Sequence, residues 1–304
     1  NSNVAILDYS NDDASRLLID RIDQSQYFSV KERLASEAQI ERVFRRGEAR
    51  LVIVFPQNFQ EDLSHTNQAQ VRFIGDASDP NTSNIVINYA SSIFRDYQNE
   101  LTEQKKLPYT IETETRMLYN PQLKSSYNFV PGVMTLILML LGAMMTSVSI
   151  VKEKETGTME ILLVSPMRPL LVVLSKAVPY LFLCFIDVVI ILLLAVFLLD
   201  MPIRGSLPLL LAESLLFILT TLSLGLLVSA VVDSQQTAMF LSLVGFLMPA
   251  LVFSGFMFPI ENMPLPLQIV SNIVPTKWYY SIVRAIMVKG LGFSYVAKQT
   301  LILA

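Results

Sequence analysis

Thiol and imidazole chemistry are almost missing from this sequence. Its 304 residues include one cysteine, one histidine and one tryptophan. The lone Cys184 excludes a disulfide within the chain, and its place inside an apolar run marks it as a small buried hydrophobe. With His65 alone, HExxH zinc chemistry is excluded, and the polar HTNQAQ stretch around it reads as a solvated loop. There is no GxSxG nucleophile elbow and no GxxxxGK[ST] loop to cradle nucleotide phosphates. Neither half is basic enough to suggest nucleic-acid binding.

Charge is also scarce where the chain is longest. Residues 1–127 carry 14 Lys+Arg and 18 Asp+Glu, a net of −4, whereas residues 128–304 carry 9 and 8, a net of +1. In the second stretch, apolar runs at 128–151, 170–199, 207–232 and 236–258 each approach or exceed the roughly 20 residues that a spanning helix needs. No water inside a bilayer can satisfy backbone N–H and C=O groups, so such runs must be helical there. The composition step at Tyr127–Asn128 therefore divides an ordinary water-soluble domain, 1–127, from a membrane domain, 128–304.

The front domain alternates two periodicities. VAILDY (Val4–Tyr9), YFSVKER (Tyr27–Arg33), LVIVFP (Leu51–Pro56), QVRFIGD (Gln70–Asp76) and TIETETRMLYNP (Thr110–Pro121) read as strands. Asp12–Gln24, Ser36–Arg46 and Thr82–Lys106 carry apolar residues at helical spacing, with Asn11 or Asp12 capping the first helix and Ser36 the second. The alternation predicts an α/β or α+β domain around one sheet. No catalytic constellation is visible in it, and the Asn81-Thr82-Ser83 glycosylation triplet reads as chance.

The break Lys152–Pro169 holds Lys152, Lys154 and Arg168, with Lys176 just beyond, and the positive-inside rule places it in the cytoplasm. Alternation then puts residues 1–127 outside. Lys277, Arg284 and Lys289 fall on the outer side in that scheme, against the rule. A re-entrant or interfacial segment over 259–292, interrupted by Pro259, Pro264, Pro266 and Pro275, would soften the objection. Without an initiator Met, with no span ahead of an outer domain, and with 295–304 turning apolar as a last span would, the sequence reads as a fragment of a six-span protein holding four complete spans.

Several motifs in these segments carry a family likeness. They are KEKETGTMEILLVSPMRPLLVVLSKAVPY (Lys152–Tyr180), RGSLPLLLAESLLFILTTLSLGLLVSAVVDSQQTAM (Arg204–Met239), SGFMFPIENMP (Ser254–Pro264) and PTKWYYSIVRAIMVKG (Pro275–Gly290). GDASDPNTS (Gly75–Ser83) adds a weaker match. Together they resemble the type-2 export permeases of ATP-binding-cassette transporters. The resemblance implies an α-helical polytopic membrane protein of the bacterial inner membrane, with a large extracytoplasmic domain between its first two spans. It also implies a non-catalytic subunit that pairs with a second permease subunit, identical or related, around a central path. No cofactor is expected on this chain. ATP and Mg are expected on a separate nucleotide-binding ATPase subunit. The outer domain, with no catalytic constellation, is expected to recruit a partner, in a two-membrane bacterium a periplasmic adaptor.

Lys152–Pro169 is the sharpest functional candidate. Thr158 can cap a short helix from Met159 with Glu160 in its first turn, where the helix dipole favours an acid, and Ser165-Pro166 would end it. In the family such a helix looks like the element that docks onto the ATPase, which nominates Glu153, Lys154, Glu155, Thr156, Gly157, Thr158, Met159 and Glu160 for coupling. The plainer reading is a charged loop that only sets topology. Asp187 lies mid-run, where a carboxylate costs about 2.5–3.5 kcal/mol on insertion scales. It either contacts substrate or a proton, or fixes helix packing, and the packing reading is preferred. Glu213 reads as a snorkelling or interfacial acid. Pro249, with Gly245 and Gly255, can bend the last run and admit a neighbouring helix. The resemblance would line the path with Met134, Met139, Phe246, Pro249 and Phe253, although each could equally face lipid. Trp278, Tyr279 and Tyr280 read as an interfacial aromatic belt. Two other functions stay open: a membrane-anchored sensor or scaffold with an outer binding domain, which would have no use for an ATPase dock, and a secondary transporter coupled through Asp187.

Overall fold

Five runs of β-branched and apolar residues near the N-terminus form a single sheet in the computed structural model, which describes residues 2–105, 109–158 and 169–304. The strands are β1 (Ser2–Asp8), β2 (Phe28–Leu34), β3 (Leu51–Phe55), β4 (Gln68–Asp76) and β5 (Thr110–Leu118), ordered β2-β1-β3-β4-β5. β1 runs parallel to both β2 and β3, β3 is antiparallel to β4, and β4 is parallel to β5. Between them lie α1 (Asp13–Gln24), α2 (Ala38–Arg46), α3 (Phe59–His65) and α4 (Pro80–Lys105). The chain divides into two compact units, Asn1–Ser125 and Ser126–Ala304.

All five residues of β3 are buried, because a central strand covered on both faces has no polar side to show. Val4, Ile6, Leu51, Ile53 and Phe55 point to one core with Leu18, Ile19 and Ile22 of α1 and Phe94 of α4. Ala5, Leu7, Val52 and Val54 point to the other, covered by Ile40, Val43 and Phe44 of α2. The period of two in β1 and β3 thus serves two helical layers.

Asp12 sets the start of two helices. Its Oδ1 accepts from Ser15 N–H at 2.7 Å as the N-cap of α1, and its Oδ2 accepts from Gln60 N–H at 2.7 Å in the first turn of α3. Burial works against charging this carboxyl, but hydrogen bonds from Ser10, Ser15 and Gln60 outweigh it and hold Asp12 below the ordinary aspartate value. Two local expectations change. Ser36 does not cap α2, whose N-cap position is Glu37 with no side-chain bond. His65 closes the short helix α3 instead of lying in a loop, although it is exposed to solvent. That helix escapes the sequence pattern because only Phe59 and Leu63 of its seven residues are buried.

The second unit is helical: α5 (Ser126–Glu155), α6 (Pro169–Phe197), α7 (Leu207–Val231), α8 (Gln235–Ser242), a π-turn (Leu243–Leu247), α9 (Met248–Phe253), a 3₁₀ turn (Ile260–Asn262), α10 (Leu265–Ser271), α11 (Pro275–Met287) and α12 (Phe293–Leu303). Among the described residues, four helical stretches are long and apolar enough to cross a membrane: Ser126–Glu155, Leu174–Phe197, Leu207–Val231 and Gln235–Phe253. They make this a multi-pass membrane protein. Small residues let the first and third approach closely. A Cβ on Gly142 would meet Thr221 Oγ1 at 2.1 Å, and one on Gly225 would meet the Ala143 carbonyl oxygen at 2.5 Å. With no hydrophobic driving force between helices in lipid, such backbone proximity is what dispersion forces require. The Ser147 and Ser242 hydroxyls pair at 3.0 Å, tying α8 to α5.

The last candidate span is broken where Pro249 lacks an N–H to give, and the preceding residues widen into the π-turn. Gly245, in that turn, faces open space with only Leu241 near it, so the expected close helix approach is not made there within this chain. Gly255 adopts φ +83°, a left-handed conformation that ends the helix.

Two further expectations are overturned. Glu213 does not snorkel to the surface: it is 3% exposed, and its Oε1 accepts from Thr300 Oγ1 at 2.7 Å, linking α7 to α12. Tyr279 and Tyr280 are not a belt but core, 0% and 3% exposed. The Tyr279 ring stacks on Phe217 at 4.1 Å and its hydroxyl meets Ser214 Oγ at 2.7 Å, while the Tyr280 hydroxyl donates to Asn128 Oδ1. Trp278 is half-buried and donates from Nε1 to the Asn272 carbonyl at 2.9 Å. The polar tips of these tyrosines find partners on neighbouring helices, which is what permits their burial.

Candidate functional site

The C-terminal end of α5 places three consecutive charged side chains. Successive helical residues step by about 100° around the axis, so Glu153, Lys154 and Glu155 face three different directions. Each direction holds another helix. Glu153 Oε1 accepts from Lys176 Nζ of α6 at 2.6 Å. Lys154 Nζ donates to the backbone oxygens of Ser229 at 2.5 Å and Val232 at 3.5 Å, closing α7. Glu155 Oε2 accepts from the backbone N–H of Gln235 at 2.9 Å and from its Nε2 at 3.0 Å, opening α8.

The charge signs follow from helix ends. A cation is favoured where α7 leaves unpaired carbonyls, and an anion where α8 leaves unpaired N–H groups. The hydrogen bonds that the half-buried Lys154 ammonium gives contribute about 1.5–3 kcal/mol together, while the half-exposed Glu153–Lys176 pair contributes about 0–1 kcal/mol. Beneath the junction, Val151, Val228, Val232 and Ala238 form an apolar cluster, with Val148 and Phe246 packed on it. Polar ties at the end of the bundle and an apolar plug beneath them hold α5, α7 and α8 in register.

Beyond Glu155 the chain turns outward. Gly157 ends α5 at φ +73° with nothing within 4 Å of where a Cβ would stand. Thr156 and Thr158 are exposed, and the Thr158 hydroxyl bonds back to the Glu153 carbonyl at 3.2 Å and to its carboxylate. Met159 and Glu160, with the short helix expected from them and its end at Ser165-Pro166, lie outside the described residues.

Of the residues nominated for a path, Met134 and Met139 are buried among the helices, whereas Pro249 and Phe253 are half-buried. Phe246 packs on the plug beside Val151, which stands roughly 25 Å along α5 from Met134 at 1.5 Å per residue. They do not occupy one level. Asp187 is half-buried, one turn past the buried Cys184 and beside the buried Val188 on the covered stripe of α6. Among the described residues, no group of three or more His, Cys, Asp or Glu side chains is placed to hold a metal. Sequence reasoning did not find Ser229 and Gln235 as partners. The signal for Gln235 was present in the Asp233-Ser234 break, where Ser234 Oγ accepts from Thr237 N–H as the N-cap of α8.

A junction of this kind, at the root of a polar break between spans, falls within a sequence profile that matches residues 1–304 and describes an ABC-2 family transporter protein. The chain belongs to that family. Among similar proteins of Escherichia coli K12, a probable multidrug ABC transporter permease, YbhS, is 34% identical over 247 residues, covering 80% of this chain and 66% of its own length. A second, YbhR, is 32% identical over 296 residues, covering 97% of this chain and 80% of its own. The inner membrane transport permease YhhJ is 29% identical over 272 residues, covering 84% and 69%. The chain thus spans just under two thirds of YbhS.

Proposed function

We propose that this ABC-2 chain is the transmembrane subunit of an ATP-driven exporter of apolar or amphipathic molecules, drug-like or lipid-like. The observation that carries the reading is the three-way tie at Glu153, Lys154 and Glu155. A push on the adjoining residues 156–160 reaches α6, α7 and α8 together, because the root of that segment is bonded to all three. A loop that served only topology would need charge but not these partners. ATP and Mg bind a separate ATPase subunit docked at 153–160, since this sequence has no phosphate loop. The relatives named as multidrug and inner membrane permeases support the cargo class and the bacterial inner membrane.

In this reading the intact protein has six spans, residues 1–127 stand outside the membrane between the first two, and they dock a periplasmic adaptor. A second permease subunit, the same or related, completes the path. The outward face of the last candidate span, with Phe240, Met248 and Val252 uncovered, is the surface offered to it. Asp187 packs α6 and does not carry protons.

The test combines topology with coupling. Ser64→Cys is labelled by an impermeant thiol reagent in spheroplasts and Thr156→Cys is not; the reverse labelling inverts the orientation. Glu153→Ala, Gly157→Pro and Glu160→Lys insert normally but release the ATPase or uncouple hydrolysis from transport. Unchanged transport and co-purification in all three would remove the coupling assignment.

A further inference from the structure

The sheet of residues 2–118 reverses its winding between β1 and β3. From β1 the chain crosses one face through α1 to reach β2, then the other face through α2 to reach β3. The loops that leave the carboxyl ends of β1 and β3 both turn to the face that carries α1 and α3, so above those ends the opposite face is left to α2 and a crevice opens there. In this protein the crevice is open on the α2 side. α2 has only nine residues and spends its apolar positions on β1 and β3, so the first halves of β4 and β5 stay uncovered on that face.

A cleft of about 590 Å³ occupies this place, within the range of small-molecule sites. Tyr9, just past β1, stands at its rim, anchored by its N–H to the Phe55 carbonyl at 3.1 Å. Pro56 and Gln57 follow β3 there. Val54, Arg72 and Glu114 share one row across β3, β4 and β5, so their side chains rise on the same face. Glu37, at the head of α2, closes the other side.

The charge of the cleft is unequal. Arg72 reaches Glu37 at 3.4 Å and Glu114 at 3.1 Å, one guanidinium against two carboxylates. An anion entering would compete with both carboxylates for Arg72. A cation would find a carboxylate in excess and the ring of Tyr9, which is 40% exposed. Val54 and Pro56 supply apolar surface. We propose that this cleft binds an organic cation with an apolar or aromatic body, a site within residues 1–125 that is separate from the coupling segment and stands or falls independently of it.

The experiment uses the full chain in lipid nanodiscs with two probes of equal shape and opposite charge, tetraphenylphosphonium and tetraphenylborate, read by hydrogen exchange. The phosphonium should slow exchange around residues 54–57 and 70–72, and the borate should not. Glu37→Gln with Glu114→Gln should raise the phosphonium Kd about tenfold, and Arg72→Gln should lower it severalfold by removing the competing cation. Both carboxylates are exposed, so these variants should fold. Equal protection by both ions, protection by neither, or affinity indifferent to the charge changes would overturn the proposal, whatever becomes of the ATPase assignment.

Discussion

Lys154 Nζ lies 2.5 Å from the backbone oxygen of Ser229, where α7 ends. One side chain on α5 therefore supplies the cation that another helix needs for its last carbonyls. Glu155 does the converse for α8, accepting the N–H of Gln235 at 2.9 Å. The two are neighbours in sequence, so α5 cannot rotate about its axis without breaking one or both.

Replacing Lys154 should separate structure from topology. Lys154→Met keeps the length and loses the ammonium, and should destabilise the bundle by about 1.5–3 kcal/mol. Lys154→Arg keeps a charge and donors and should recover most of it. Thermal unfolding of the detergent-solubilised protein checks this; equal loss in both variants would mean that side-chain shape, not charge, makes the tie.

Gly157 sits at φ +73° in open space, so a side chain there meets a backbone penalty and no clash. Gly157→Ala should cost about 1–2 kcal/mol of local order, and Gly157→Asn, more tolerant of that conformation, should cost less. Hydrogen exchange at residues 152–158 reads the difference. Indistinguishable exchange in the two variants would show that this turn does not depend on its glycine.

At Gly225 the reverse holds. A methyl group would stand 2.5 Å from the Ala143 carbonyl oxygen and 3.0 Å from Thr146 Cβ, both on α5. Gly225→Ala should push α5 from α7 and destabilise by about 1–3 kcal/mol, with Gly225→Val worse. A melting temperature unchanged by Gly225→Ala would contradict the close approach.

Asp12 should make residues 2–118 acid-sensitive. Its carboxyl ionises more easily when folded than when unfolded, so its contribution is present above the ordinary aspartate value of 3.8 and is lost as pH falls through the lower folded value. At neutral pH, Asp12→Ala should cost about 0.5–2 kcal/mol through the lost cap. The gap between wild type and variant should narrow below about pH 4, as protonation takes the same bonds from the wild type. A gap constant from neutral pH into that range would exclude the charged cap.

Much of the architecture could be read before the structure. The strands over 51–55 and 70–76 and the helix that Asp12 caps carried their own periodicity and turn chemistry, and the long apolar runs announced their helices by length alone. The residues proposed for coupling were nominated on position and likeness. That Glu153, Lys154 and Glu155 bind three separate helices was not legible, because their partners lie 23, 75 and 80 residues away. Two of those ties also end on backbone atoms that any residue could provide.

The sequence by itself determined that this chain divides into an α/β unit and a bundle of membrane helices. Backbone groups in lipid must pair within their own helix, and a period of two or 3.6 is a local property. Only the tertiary structure decided which way the polar residues of the bundle face. α6 and α7 are apolar almost all round, so no pattern along them tells a covered side from an open one. Glu213 and Tyr279 could have stood on the open side of their helices. They are buried because Thr300 and Ser214 stand opposite them, and that opposition exists only once the helices have packed.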